Sequence, residues 1–331
     1  MTVPVDTPDA AFGPAEPDAI LEGDGRIEGR SLGQIAWRRL RRDRVAMAGG
    51  IVVLALIVLS LMAPLVVSWF GHPPNDFHEH LVDADTQLPY GPFGGVSREF
   101  LFGLEPVNGR DLFSRILYGS RISLLIAFLA TLLSVTIGTL MGVTSGYFGG
   151  WVDAVISRLM DVFLAFPLLV FAIALVGAIP DRAFGLAGDS LRIGVLVFVI
   201  GFFNWPYIGR IVRGQTMSLR NREFIDAARS MGATHPHIIL RELLPNLVAP
   251  ILVYATLLIP ANILFEAALS FLGVGVQPPT PTWGGMLSDA ADWYQVDPWF
   301  MVSPGLAIFV TVLAFNLFGD GLRDALDPRA R

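Results

Sequence analysis

The chain contains no lysine and no cysteine, so all 23 of its basic residues are arginine. Without lysine there is no P-loop ammonium to hold ATP phosphates and no Schiff-base amine. Without cysteine there is no thiol nucleophile, no disulfide and no thiolate-held zinc or iron–sulfur centre. Charge of either sign is scarce, with 16% of the 331 residues charged and 53% hydrophobic, a balance too apolar for an ordinary soluble domain. What is plentiful is long uncharged sequence, and the chain reads as an all-α polytopic membrane protein. The formal charge of -6 says little about partners, because the sign changes from loop to loop.

Six apolar runs follow one another: 45–70, 122–151, 162–179, 193–209, 243–276 and 299–319. The first, at about 25 residues, is long enough to cross a hydrocarbon core of roughly 30 Å. It follows the basic cluster Trp37-Arg38-Arg39-Leu40-Arg41-Arg42-Asp43-Arg44, and it lies too far from the start and runs too long for a cleaved signal peptide. Six spans put both termini on one side. Arginines gather before the first run, between the fourth and fifth (Arg210, Arg213, Arg220, Arg222, Arg229, Arg241) and at the C-terminus (Arg323, Arg329, Arg331), whereas 277–298 has none. The positive-inside rule therefore puts both termini and the segment after the fourth run in the cytoplasm, with 71–121, about 180–192 and 277–298 outside.

The expected organisation is a disordered cytoplasmic tail (1–30), a basic flank with the first span (31–70) and an extracytoplasmic loop (71–121). A five-helix core (122–325) holding a cytoplasmic loop (210–242) and a cytoplasmic C-terminus (326–331) follow. Gly138, Gly142 and Gly146, four residues apart, predict close helix packing. The fifth run is too long for one straight span, which predicts a bend near Pro260 or an exit near Gly273-Val274-Gly275.

Between the fourth and fifth runs, residues 222–245 are polar and arginine-bearing. Phe224, Ala228 and Met231 recur at helical spacing, with Glu223, Asp226, Arg229 and Ser230 on the other faces, so 222–231 reads as a short amphipathic helix. Gly232 supplies a C-terminal cap, and Thr234 with Pro236 starts a second helix running into the membrane. Within the fifth run Asn262, Glu266 and Ser270 form a polar stripe that either lines a translocation path or hydrogen-bonds a neighbouring helix. Asn204 reads as a tie between helices. In the outer loop His72, His78 and His80 stand beside carboxylates, but a solvated loop accounts for them and no metal site is assigned. Asp111 reads as the cap of the following helix, with Arg110 paired locally.

Asp226-Ala227-Ala228, Gly232 and Leu244-Pro245 together resemble the EAA signature of membrane subunits of binding-protein-dependent ABC importers. Asp226 stands where the signature usually has Glu, and Glu242 where an apolar residue is common. Asn108-Gly109-Arg110-Asp111, Tyr118-Gly119-Ser120-Arg121, Leu269-Ser270-Phe271-Leu272-Gly273 and Phe315-Asn316-Leu317-Phe318-Gly319-Asp320 are similar to the second permease subunit of the dipeptide and oligopeptide (peptide/nickel) branch. That resemblance implies a non-catalytic subunit in a bacterial cell membrane, with a homologous second permease, two cytoplasmic ATPases and an extracytoplasmic substrate-binding protein as partners. It further implies di- or oligopeptide import by alternating access, with no cofactor in this chain and ATP and Mg bound by the ATPases. Glu223, Phe224, Asp226, Ala227, Ala228, Met231 and Gly232 are the implied ATPase-coupling residues. Nickel or another small solute is the alternative cargo. An ion-driven secondary transporter using Glu266 and Arg121 is the alternative class.

Overall fold

The computed structural model describes residues 32–180, 182–183 and 185–326. The tail expected over 1–30 and the last residues, with Arg329 and Arg331, lie outside the described residues. Among the described residues the chain forms twelve α-helices, a π turn, a 3-10 turn (Glu79–Leu81) and an antiparallel pair of two-residue strands. Helix α1 (Leu32–Arg42) carries the basic cluster and meets α2 (Arg44–Leu61) at Asp43, whose carboxylate accepts from the Val45 and Ala46 amides at 2.9 and 3.1 Å. The first apolar run is not one helix. It breaks at Met62, and α3 (Ala63–Phe70) restarts with a proline in its first turn, where the missing amide costs no hydrogen bond.

Helix α4 (Leu112–Phe148) is followed by α5 (Gly150–Ala165) and α6 (Leu168–Ala178), which bend by 80° at Pro167. A short antiparallel pair, β1 (Arg182–Ala183) and β2 (Leu186–Ala187), leads into α7 (Gly188–Leu219). Then come α8 (Glu223–Ser230) and α9 (His235–His237), which passes through a π turn (Ile238–Leu243) into α10 (Leu244–Phe271). Helices α11 (Trp283–Ala290) and α12 (Pro298–Leu326) complete the chain. Five stretches are long and apolar enough to cross a membrane, and the bent α5–α6 pair makes a sixth if it is one span.

Two helices continue well beyond the apolar run that marks them. Helix α4 starts at Leu112, not after 121, because Asp111 caps it, accepting from the Phe113 amide at 3.1 Å. Helix α7 runs ten residues past Gly209, so the expected loop 210–242 shrinks to the residues around α8. The fifth run stays helical through Pro250 and Pro260 and exits after Phe271, where Gly273 has φ +79°, at the expected exit near Gly273-Val274-Gly275.

The core is set by how closely α4 and α7 approach. A Cβ added at Gly138, Gly142 or Gly146 would sit 2.7, 2.6 or 2.8 Å from the carbonyl oxygens of Trp205, Gly209 and Arg213. Any larger residue there would force the backbones apart. Residues 71–111 fold back on the bundle. Asp111 also accepts from the Ser114 hydroxyl (2.6 Å) and the His72 amide (3.1 Å), and the Trp299 indole donates to the Phe102 carbonyl at 2.9 Å. Beneath them Glu105 is buried between Arg110 and Arg115, 3.1 Å from Arg115 Nε. A buried carboxylate held by two guanidiniums is costly to separate from either one.

Candidate functional site

The polar segment after α7 forms a helix, a turn and a second helix. Glu223 and Asp226 fall in the first turn of α8 and Arg229 in its last, the arrangement the helix dipole favours. Asp226 and Arg229 also pair at 3.2 Å on the surface. At the C-terminal end the Gly232 amide donates to Arg229 O (2.9 Å) and the Ala233 amide to Ala228 O (3.0 Å), a Schellman-type ending that needs the φ of +80° found at Gly232. Thr234, extended at φ -74° and ψ 157°, then begins the next helix with Pro236 in its first turn.

The apolar stripe expected on α8 is divided between two faces. Ala228 is buried (5% exposed), but its inward companion is Ile225 (0%), while Phe224 (38%) and Met231 (82%) point outward. Ile225 and Ala228 pack with Val143, Tyr147, Ile238 and Leu243 at the feet of α4 and α10. Burying the Ile225 side chain contributes roughly 1.5–3 kcal/mol. The outward face carries Phe224, Ala227 and Met231 at i, i+3 and i+7, flanked by Glu223 and Asp226. Ile225 was missed because Phe224, one residue earlier, satisfies the same helical spacing; the i, i+3 pair Ile225–Ala228 was the signal available.

Polar ties hold this unit to the bundle. The Tyr147 hydroxyl lies 2.8 Å from His235 Nδ1, Arg229 stands over the Tyr147 ring at 6.0 Å, and Arg220 donates to Gly146 O at 2.9 Å. About two helical turns earlier on α7 Arg213 forks onto Asp153 (Nε–Oδ1 2.5 Å, Nη2–Oδ2 2.7 Å), and Arg210 reaches Asp161 at 2.5 Å. Helix α5 is thereby fastened to α7 at the same end of the molecule as α8.

Asn262, Glu266 and Ser270 are all buried in the described chain, and they face neighbouring helices. Asn262 accepts from Asn204 Nδ2 (3.0 Å) and donates to Thr131 Oγ1 (2.8 Å), so α10 is tied to both α7 and α4. Ser270 donates to Glu266 Oε1 at 2.7 Å. Arg121 lies apart from them, exposed beside the Tyr118 ring at 5.8 Å. In the outer loop His78 Nδ1 lies 3.0 Å from Gly109 O and the His72 ring stacks on Phe100 at 4.5 Å. Among the described residues no three histidines or carboxylates converge as a metal would require.

Residues 134–331 match the family described as "Binding-protein-dependent transport system inner membrane component", and residues 31–89 match the "N-terminal TM domain of oligopeptide transport permease C". The chain is 40% identical to the dipeptide transport system permease protein DppC of Alkalihalophilus pseudofirmus, over 89% of this chain and 90% of that protein. It is 41% identical to the glutathione transport system permease protein GsiD of Escherichia coli O157:H7, with the same shares covered. To the oligopeptide transport system permease protein OppC of Haemophilus influenzae it is 39% identical, over 100% of this chain and 98% of that one. A solved structure of the inward-facing MetNI methionine ABC transporter superposes with a TM-score of 0.53, covering 65% of this chain and 98% of the other; at 17% identity the likeness is one of fold. The chain thus belongs to the binding-protein-dependent transport system inner membrane component family, as a membrane permease subunit of an ABC importer.

Proposed function

We propose that this chain forms one half of the membrane path of an ATP-driven importer that moves di- and oligopeptides into the cytoplasm by alternating access. The observation that carries the reading is the outward face of α8: Phe224, Ala227 and Met231 are exposed between carboxylates, on a helix whose other face is buried against α4 and α10. An exposed apolar patch on a rigidly rooted helix suits a protein partner. The partner in this reading is a cytoplasmic ATPase whose groove receives Phe224 and Met231 and offers donors to Glu223 and Asp226. Gly232 and the continuous α9–α10 stem then carry ATP-driven movement of α8 into the bundle, as a rigid-body rocking. A second ATPase serves a homologous permease, and an extracytoplasmic binding protein delivers cargo. ATP and Mg belong to the ATPases, since no lysine is present here to complete a P-loop. Arginine distribution supports cytoplasmic termini, and the family description supports a bacterial inner-membrane location. The peptide cargo follows the dipeptide, oligopeptide and glutathione named for the relatives.

Uptake in proteoliposomes tests this. The assembled importer with its binding protein should accumulate a labelled dipeptide only when ATP is supplied on the ATPase side. Uptake driven by an ion gradient without ATPases would overturn the reading.

A further inference from the structure

Helix α1 carries a charged face that the bundle does not use. The helix has no acidic residue, and it stands just before the apolar run that begins at Val45. Its opposite face is fixed in the fold. Ala36 and Leu40, four residues apart, are 8% and 4% exposed, and Leu40 packs with Ala46 and Ala325, so that α1 leans on the foot of α12. At about 100° per residue, Arg38 stands opposite the midpoint of that buried pair, and Arg41 and Arg42, at i+3 and i+4, fall on either side of it. Trp37, one turn before Arg41, borders the same face and is 56% exposed.

The charge of this face is not met within the described chain. Arg38, Arg41 and Arg42 are exposed, and among the described residues their guanidiniums make no ion pair and no hydrogen bond. The nearest acid in sequence, Asp43, gives its carboxylate to the Val45 and Ala46 amides. The negative end of the helix dipole favours Arg41 and Arg42 in the last turn, but Arg38 lies before that turn. Like charges at i, i+3 and i+4 repel, whereas an anion lying across all three is held by charge-assisted hydrogen bonds. Topology alone needs arginines near a span in any arrangement. Here they are gathered on one face beside an exposed indole, the pattern of a helix lying in a membrane interface. Helix α2 exposes Val45, Ile51 and Leu54, so the lipid-facing surface begins where α1 ends. A soluble anion would leave Trp37 in water; a lipid covers it.

We propose that this face of α1 binds the phosphates of anionic phospholipids, with Arg38, Arg41 and Arg42 on the headgroups and Trp37 at the boundary with the acyl chains. The bilayer then holds α1 against the foot of α12. The proposal draws on charge and helix geometry and requires nothing of the cargo or the ATPase.

The test uses the assembled importer in phosphatidylcholine nanodiscs doped with a phosphatidylglycerol that carries a diazirine near its headgroup, with labelled residues mapped by mass spectrometry. Labelling should fall on residues 37–44. Unlabelled phosphatidylglycerol should compete with it, and neither further phosphatidylcholine nor inorganic phosphate should. Each arginine near an anionic surface contributes about fivefold in binding, so the triple change Arg38→Gln, Arg41→Gln and Arg42→Gln should lower the labelling by roughly 100-fold. Changing the same three to lysine should keep most of it. Arg158→Gln, which removes an 86% exposed guanidinium from α5, should leave it unchanged. Labelling that survives the triple glutamine change, or that phosphatidylcholine competes equally, would overturn the proposal. Competition by inorganic phosphate would overturn it in favour of a soluble anion. Labelling seen in the isolated chain but lost in the assembled importer would overturn it as well, and would mark the face as one that a partner subunit covers.

Discussion

Replacing Gly232 by valine isolates the turn that joins α8 to the α9–α10 stem. A Cβ at this position meets no atom within 4 Å, so the substitution adds no clash, and its cost is confined to the backbone, held at φ +80°. For an L-residue that conformation costs roughly 1–2 kcal/mol, with a β-branched side chain at the upper end. This is too little to unfold a polytopic bundle, but it lowers the population of the native turn about 5- to 30-fold relative to competing ones. The Ala233–Ala228 hydrogen bond depends on that turn. The assay is substrate-stimulated ATPase turnover of the reconstituted importer, with assembly checked by size exclusion. Gly232→Val should assemble normally and turn over about 5- to 30-fold more slowly, and Gly232→Ala should lose less. Gly214→Val is the control, because Gly214 is a helical glycine with equally open space and no positive φ. Unchanged turnover in Gly232→Val, or an equal loss in Gly214→Val, would refute the reasoning.

Two further outcomes follow from the packing and the outer loop. Gly142→Val should disrupt the α4–α7 contact, since even a Cβ would come within 2.6 Å of a carbonyl oxygen. A loss of about 1–3 kcal/mol or more is expected for such overpacking, read as a lowered melting midpoint in detergent; Gly177→Val, with nothing within 4 Å, should melt near the native midpoint. In the outer loop the Thr86 amide, the Thr86 hydroxyl and the Asp85 amide all bind the Asp83 carboxylate and hold its pKa below the ordinary value. A depressed carboxylate contributes stability that is fully present above the ordinary value and is lost as pH falls through the depressed one. Amide exchange at Asp85 and Thr86, corrected for its intrinsic pH dependence, should therefore lose protection only on acidification below the usual carboxylate range; protection independent of pH there would contradict the assignment.

The spans, the helix-turn-helix around Gly232, the glycine seam and the Asp111 cap were all legible in the sequence, because each rests on local chemistry: apolar length, a positive φ, small residues at fixed spacing, a capping carboxylate. The helix ends were less so. An apolar run records the thickness of the hydrocarbon, whereas α4 and α7 each extend about two or three turns beyond theirs, with Leu112, Ile116 and Val212 of those extensions buried in apolar clusters. On α8, spacing did not separate Ile225 from Phe224, because an apolar residue kept exposed for a partner reads the same as one buried in a core. Asn262, Glu266 and Ser270 were legible as a stripe, but their partners Asn204 and Thr131 lie 58 and 131 residues away from Asn262 in sequence. The contact of Arg115 with Pro279 O was not legible, for the two lie 164 residues apart.

The most direct test of the coupling account uses the absence of native cysteine. A thiol-attached photocrosslinker placed at Met231→Cys is the chain's sole label, and so is one at Asp85→Cys on the outer loop. In the assembled importer the Met231 label should give an adduct with the mass of this chain plus one ATPase, and its yield should change when ATP is trapped; the Asp85 label should give no ATPase adduct. An assembled, ATP-hydrolysing importer whose Met231 label never captures the ATPase would contradict the central claim.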